Sequence, residues 1–203
     1  MTSPARVIIN PISGTGGRRD VVRQRVQLAE SLARLHGVDL QVAVTERPGH
    51  ARELAQSALA AGVTTLLAWG GDGTLNEVAS VAAFQPAVMG LIPSGSGNGL
   101  ARELRIPLDA RAAFAIALTG PERLLDAGEI DGHLFFNVAG IGLDARVAHE
   151  FAASGLVRRG FRRYLEITLR ELIRSIADEH TIDVDGAAIR VRTLMIAIAN
   201  GRQ

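Results

Sequence analysis

The sequence predicts an α/β protein, in which a doubly wound, mostly parallel sheet is followed by part of a second, antiparallel β-rich domain with helices. Three observations predict it. Short apolar runs alternate with helical apolar patterns over roughly the first 120 residues, which implies a parallel sheet covered on both faces. Three of those runs end in loops rich in Gly with Ser or Thr, at 10–17, 70–74 and 93–98. After Gly120 the texture changes to strand pairs turning at Asp131-Gly132 and Asp185-Gly186, a strong two-residue hairpin signal. The expected domains are residues 1–122 and 123–203.

The elements follow in order. Arg6 to Asn10 reads as a first buried strand, ended by Pro11. Val22, Val26, Ala29, Leu32, Ala33 and Leu35 recur at helical spacing from about Arg18 to His36, and Gly37 stops the helix. Val38 to Thr45 is a second strand, and Pro48 opens a helix that runs to about Ala61. Thr64 to Trp69 is a third strand, and a helix follows from Leu75. Ala87 to Ile92 is a fourth strand, a helix opens near Leu100, and Asp109 caps another that ends near Gly120. Leu124 to Ile130 and His133 to Ala139 read as a hairpin. A helical region spans about Leu143 to Asp178, broken near Ser154-Gly155 and Gly160. Thr181 to Val184 and Ala188 to Ala199 are the last strands. Asn200-Gly201 is then a hairpin turn with no returning strand before Gln203, so the chain reads as a piece of a longer protein.

Composition narrows the function classes. With 47% hydrophobic residues the chain is globular. A net charge of +1 argues against general nucleic-acid binding. No apolar run reaches the ~20 residues of a membrane span, and no signal-peptide pattern opens the chain. The absence of cysteine removes disulfides and thiolate metal sites and fits a reducing cytosol. All 22 basic residues are arginine, which excludes a P-loop mechanism with its lysine. A phosphate held here must be held by backbone N–H groups, arginine or a metal. The five histidines form no ligand spacing.

The sharpest chemistry lies in Thr64 to Val81. A helix that starts directly after a glycine turn aims its free N–H groups and the positive end of its dipole into that turn. Glycines let the backbone approach a phosphate closely. Asp72 adds a carboxylate for a metal ion or a substrate hydroxyl. The plainer reading is an ordinary strand-to-helix turn in which Asp72 or Thr74 caps the helix. In a doubly wound sheet the three glycine-rich loops share the carboxyl edge of the strands, where ligands bind, and three donor-rich loops together favour a phosphate-bearing ligand.

On these residues the chain resembles the diacylglycerol kinase catalytic-domain family, which includes bacterial lipid kinases and, more distantly, sphingosine and ceramide kinases. Asn10-Pro11-Ile12-Ser13-Gly14 is similar to the family's first nucleotide loop. Gly70-Gly71-Asp72-Gly73-Thr74 with Asn76-Glu77 resembles its signature, and Pro93-Ser94-Gly95-Ser96-Gly97-Asn98 its third loop in the serine form. Asp126-Ala127-Gly128 and Phe136 to Gly142 resemble the passage into its second domain. The resemblance spans nearly the whole chain. GGDGT alone is shared with NAD kinases and phosphofructokinases; the four motifs in this order are specific.

The resemblance implies an NAD kinase/diacylglycerol kinase-like fold, and transfer of the γ-phosphoryl group of ATP, with Mg²⁺, to a diacylglycerol- or sphingosine-like lipid hydroxyl. It implies nucleotide contacts at Asn10, Pro11, Ile12, Ser13, Gly14, Thr45, Gly70, Gly71, Asp72, Gly73, Thr74, Leu75, Asn76, Glu77, Gly95, Ser96 and Asn98. Asp72 and Asp126 are the implied catalytic and Mg²⁺-network carboxylates. The partner is a lipid substrate at a membrane surface, with a homodimer left open, and the expected location is the cytoplasm or the inner membrane face. Arg158, Arg159, Arg162 and Arg163 around Phe161 and Tyr164 could meet an anionic surface, although a solvated helix face is the favoured reading.

Two departures from the family pattern bear on activity. Many members carry Asp where this chain has Gly99, so the acidic network lacks a carboxylate. The family's catalytic base lies in an acidic motif that these 203 residues do not contain, so this chain alone is expected to phosphorylate little. The alternatives are an NAD kinase-like enzyme and a non-catalytic nucleotide- or lipid-binding regulator on the same fold.

Overall fold

A computed structural model of the chain describes residues 4–14, 19–153 and 161–201. The chain forms two compact units, one running to Asn137 and taking the chain back from Asn200, the other spanning Val138–Ala199.

The first unit is built on four parallel strands, β1 (Ala5–Ile9), β2 (Leu40–Val44), β3 (Thr65–Gly70) and β4 (Val88–Pro93), in the order β2-β1-β3-β4. The helices between them are α1 (Arg19–His36), α2 (His50–Ala60) and α3 (Asp72–Ala82), and α4 (Gly99–Glu103) and α5 (Ala110–Thr119) follow β4. Side chains alternate across the pleat, so each central strand feeds two cores. Val7, Ile9, Leu67, Trp69 and Ile92 pack with Ala29 and Leu32 of α1 and Ala113 and Phe114 of α5. Ile8, Leu66 and Ala68 pack on the other face with Ala51, Ala55 and Ala58 of α2 and Val78 and Ala82 of α3. Trp69 and Phe114 meet edge to face, with ring centroids 6.1 Å apart. This two-faced burial is why the strands read as continuous apolar runs.

The predicted turn chemistry recurs. Asp109 accepts the Ala112 N–H at 2.9 Å and caps α5. β5 (Gly128–Ile130) and β6 (His133–Phe135) pair through Asp131 (φ 50°) and Gly132 (φ 74°). Both are shorter than the sequence suggests, and Leu124 and Leu125 lie exposed outside the ladder.

The second unit holds β7 (Val138–Gly142), α6 (Leu143–Ala153), α7 (Phe161–Arg174), β8 (Asp178–Val184), β9 (Ala187–Thr193) and β10 (Met195–Ala199). β8 and β9 form the second Asp-Gly hairpin, through Asp185 (φ 52°) and Gly186 (φ 85°). The single strand expected over 188–199 is instead two strands in two sheets, because β10 pairs antiparallel with β7. Local hydrogen bonding explains the break. The Thr193 hydroxyl donates to the Met195 carbonyl at 2.9 Å and accepts the Met195 N–H at 3.3 Å, while the Leu194 carbonyl takes the Leu143 N–H. The helix break expected near 154–160, and the side chains of the arginine run at 158–163, lie outside the described residues. Among the described residues no helix is long and apolar enough to cross a membrane.

Gly90 shows how tightly α5 seats on the sheet. A Cβ there would lie 2.5 Å from the Ala117 Cβ and 2.6 Å from the Leu67 Cδ2. Gly90→Ala is expected to lower stability by about 1–3 kcal/mol, read from urea unfolding, because the Ala117 Cβ is fixed to the α5 backbone and the Leu67 side chain is fully buried. An unchanged midpoint would show that α5 does not seat this closely.

Candidate functional site

The parallel register fixes where the loops emerge. Ile9 is level with Val44 and with Trp69, and Trp69 with Ile92. The ladder continues one residue past the strands, with Asn10 donating to Trp69, Thr45 to Ile9 and Ser94 to Gly70 at 2.8–2.9 Å. Three glycine-rich loops and Thr45 therefore leave the sheet at one edge.

The loops bind one another directly. The Asn10 Nδ2 donates to the Thr74 Oγ1 at 2.7 Å, tying the first loop to the second. The Ser13 and Ser94 hydroxyls meet at 2.6 Å, tying the first to the third. Gly14 has φ 74°, and a Cβ on it would strike the Ser94 carbonyl. Gly71 and Gly95 close the third pairing, since a Cβ on Gly95 would lie 2.6 Å from the Gly71 Cα. Every polar or charged side chain that is buried among the described residues is at this edge or braces it: Ser13, Arg25, Thr45, Thr74 and Asn98.

The second loop delivers its helix without a side-chain cap. α3 begins at Asp72, its N-cap is Gly71, and among the described residues no side chain caps the freed amides. The first-turn bond runs from the Leu75 N–H to the Gly71 carbonyl at 3.0 Å, which leaves the N–H groups of Asp72, Gly73 and Thr74 outside the helical ladder. The plainer expectation, with Asp72 or Thr74 as cap, is thus not met. The Asp72 carboxylate is exposed and lies beside the third loop, with its Oδ2 2.9 Å from where a Gly97 Cβ would stand. Gly70, Gly71, Asp72, Leu75, Pro93 and Asn98 help line a small, open cleft. Ser96 is exposed, Pro11 and Ile12 are half-buried beside Asn10, and Asn76 is half-buried on α3.

Two of the expected site residues are committed to scaffolding. Asn98 sits in the left-handed region (φ 55°), and its amide exchanges two 2.8 Å hydrogen bonds with the Gly95 backbone, so it shapes the third loop. The Glu77 carboxylate accepts the N–H groups of Gly49 and Ala51 at 3.1 Å and of Arg52 at 3.4 Å, so it caps α2 from α3. Asp126 is exposed, and its carbonyl takes a 2.6 Å hydrogen bond from the Asn200 side chain. Asp72 and Asp126 belong to no acidic cluster: among the described residues, no three His, Asp or Glu are grouped to hold an ion.

Three residues outside the sequence-derived set complete the edge. Arg25, 8% exposed, donates from α1 to the Asn10 carbonyl at 2.7 Å, the Ser13 carbonyl at 2.8 Å and the Ser13 hydroxyl at 3.0 Å. It lies 5.8 Å from the Trp69 ring centroid. Burial pushes its guanidinium below the ordinary value, though such a group stays protonated. The signal was readable, since Arg25 interrupts the apolar stripe of α1 between Val22 and Ala29. Asn137 packs its side-chain amide where a Cβ on Gly99 would stand. Asn200 also donates its own N–H to the Asn137 carbonyl at 2.7 Å. Asn137 lies in the Phe136 to Gly142 motif and Asn200 in the predicted turn, but neither pattern assigns the side chain a contact at this edge.

Comparison with known proteins bears on this edge. Residues 4–130 match the family described as the diacylglycerol kinase catalytic domain. The chain is 35% identical over 187 residues to a Pseudomonas fluorescens protein named "Probable lipid kinase YegS-like", covering 91% of this chain and 62% of that one. A Pseudomonas aeruginosa protein of the same name is 35% identical over 182 residues, covering 89% and 60%. The fold matches the crystal structure of a diacylglycerol kinase from Bacillus anthracis with a TM-score of 0.73 at 25% identity, covering 98% of this chain and 64% of that one. The chain therefore spans about three-fifths of the length of these relatives.

Glu77→Ala would leave three amides at the start of α2, those of its N-cap Gly49 and of Ala51 and Arg52, without their acceptor. The expected loss is about 1–2 kcal/mol of stability, with faster hydrogen exchange at Gly49, Ala51 and Arg52. Unaltered exchange at those amides would refute the capping role.

Proposed function

This chain belongs to the diacylglycerol kinase catalytic-domain family, and on that premise we propose that it is the nucleotide-binding part, with some of the acceptor part, of a lipid kinase. The reaction is transfer of the γ-phosphoryl group of ATP to the hydroxyl of a diacylglycerol- or sphingosine-like lipid. Residues 1–122 take the nucleotide, and residues 123–203 contribute to lipid binding. One observation carries the reading: three loops converge on the open N-terminus of α3.

Phosphoryl transfer asks the protein mainly for position and for stabilisation of charge. The N–H groups of Asp72, Gly73 and Thr74 lie at the positive end of α3 and suit phosphate oxygens. Gly73 strengthens the case. A Cβ on it would meet nothing within 4 Å, and its φ is not positive, so neither packing nor backbone conformation requires glycine there. Glycine weakens a helix, so its presence in the first turn suits the close approach of something from outside the chain.

The residues present also suit Mg²⁺, which takes one or two carboxylates together with substrate phosphates rather than a cage of protein ligands. Asp72 would hold it, with Asp126 as the second carboxylate, and the ion would neutralise charge on the transferring phosphoryl group. Thr45, Asn10 and Gly14 border the nucleotide on the side of the first two strands. The base that takes the lipid hydroxyl's proton is assigned to no described residue, and the chain by itself should turn over slowly.

Gly73→Ala separates this reading from a structural one. The variant should fold with stability equal to the parent or up to about 1 kcal/mol greater. It should nevertheless bind MgATP about tenfold or more weakly by calorimetry. In a protein of the relatives' full length, the same change should suppress label transfer from γ-labelled ATP to a panel of lipids on thin-layer plates. Parent protein that ignores millimolar MgATP would sink the nucleotide reading, and transfer to NAD rather than lipid would sink the acceptor.

A further inference from the structure

Among the described residues Arg25 is the only charged side chain that is buried, and no carboxylate of theirs lies within ion-pair distance of it. All of its hydrogen bonds go to two backbone carbonyls and one hydroxyl of the first loop. A neutral donor could make such bonds with a smaller desolvation cost, so bracing alone does not explain a cation at this position. Two features connect its charge with the open edge. A trans peptide sets N–H opposite C=O, so a Ser13 carbonyl held by Arg25 turns the Gly14 N–H away from the guanidinium. The Ser13 hydroxyl, which accepts from Arg25, also meets the Ser94 hydroxyl, so the bonded chain from the cation reaches the third loop.

We infer that Arg25 is a positioning residue whose uncompensated charge, fixed beneath the first loop, makes the loop edge select ligands by the number of their phosphates. The inference rests on the nucleotide reading above and adds the source of its discrimination. The loops supply amides to any phosphate; the buried cation supplies a field that grows in value with each added negative charge and that little solvent screens. Adenosine triphosphate should therefore be preferred over the monophosphate even without a divalent ion.

Two substitutions separate charge from bracing. Arg25→Gln keeps amide donors and removes the charge; Arg25→Lys keeps the charge and gives up the forked geometry. Affinities for ATP, AMP, tripolyphosphate and orthophosphate are measured by calorimetry in EDTA, with thermal melting alongside. The expected result for Arg25→Gln is a loss of about tenfold or more for ATP and about threefold for AMP, while Arg25→Lys holds the ATP-to-AMP ratio within about twofold of the parent. A purely structural role would lower melting and weaken every ligand by one common factor in both variants, and that outcome overturns the inference. Should Arg25→Gln fail to fold, Arg25→Lys decides: a retained ratio supports the inference and a collapsed one overturns it. If the parent binds tripolyphosphate but not ATP, the nucleotide reading fails and the charge test proceeds on tripolyphosphate against orthophosphate. Parent protein that binds neither overturns both.

Discussion

The parallel register of β1, β3 and β4 is the constraint on which the rest of the structure depends. Ile9, Trp69 and Ile92 stand level, and from that row the chain passes into three separate loops. The same register sorts side chains between two cores, Ile9 and Trp69 to one and Ile8 and Ala68 to the other. A slip of one residue would exchange the faces of a strand and move its loop by about 3.3 Å along the sheet. The 2.6–2.7 Å hydrogen bonds that join the first loop to the other two could not survive that shift. The apolar cores and the polar edge are thus specified together, and burial of Val7, Leu67 and Phe114 is what keeps three loops within reach of one another.

Much of this was legible in the sequence. The order of strands and helices follows from apolar period, and both Asp-Gly hairpins follow from the positive φ that their turns demand. That the glycine loops share an edge follows from the topology of parallel sheets. What sequence could not show are decisions made by distant partners. Thr193 breaks an apolar run through a bond to Met195, and β10 then finds β7, more than fifty residues earlier in the chain. Glu77 belongs by position to the glycine motif, yet its acceptors serve α2, over 20 residues upstream. Arg25 looked like any surface arginine unless its place on the α1 stripe was counted.

The motif polar residues divide into two kinds. Asn98 and Glu77 spend their side chains on the backbone, and Asn10 holds both the Ile12 N–H and the Thr74 hydroxyl. These bonds set loop shape, and under the proposed function they leave ligand contact chiefly to main-chain amides, which cannot adopt alternative rotamers. Most of the glycines serve the same end. Gly14 meets Ser94 and Gly71 meets Gly95, so a methyl group at either would push two loops apart, while Gly70 meets Thr74 within its own loop. Only Gly73 in this group faces open space. The loops are glycine-rich mainly because of close approaches within and between them, and Gly73 is the position that packing leaves open to the phosphate approach of the proposed function.

Gly99 follows the same logic with a consequence for the acid content of the edge. A side chain there would occupy the volume of the Asn137 amide and would point within 3.8 Å of Asp72 Oδ1 at its first carbon. A carboxylate at position 99 would therefore both displace Asn137 and set a second negative charge against Asp72, which is unfavourable unless a cation lies between them. Asn137 in turn is fixed through its carbonyl by Asn200, whose side chain also holds Asp126. Glycine at position 99 beside this asparagine therefore keeps a second carboxylate away from Asp72, and the edge carries a lower negative charge for it.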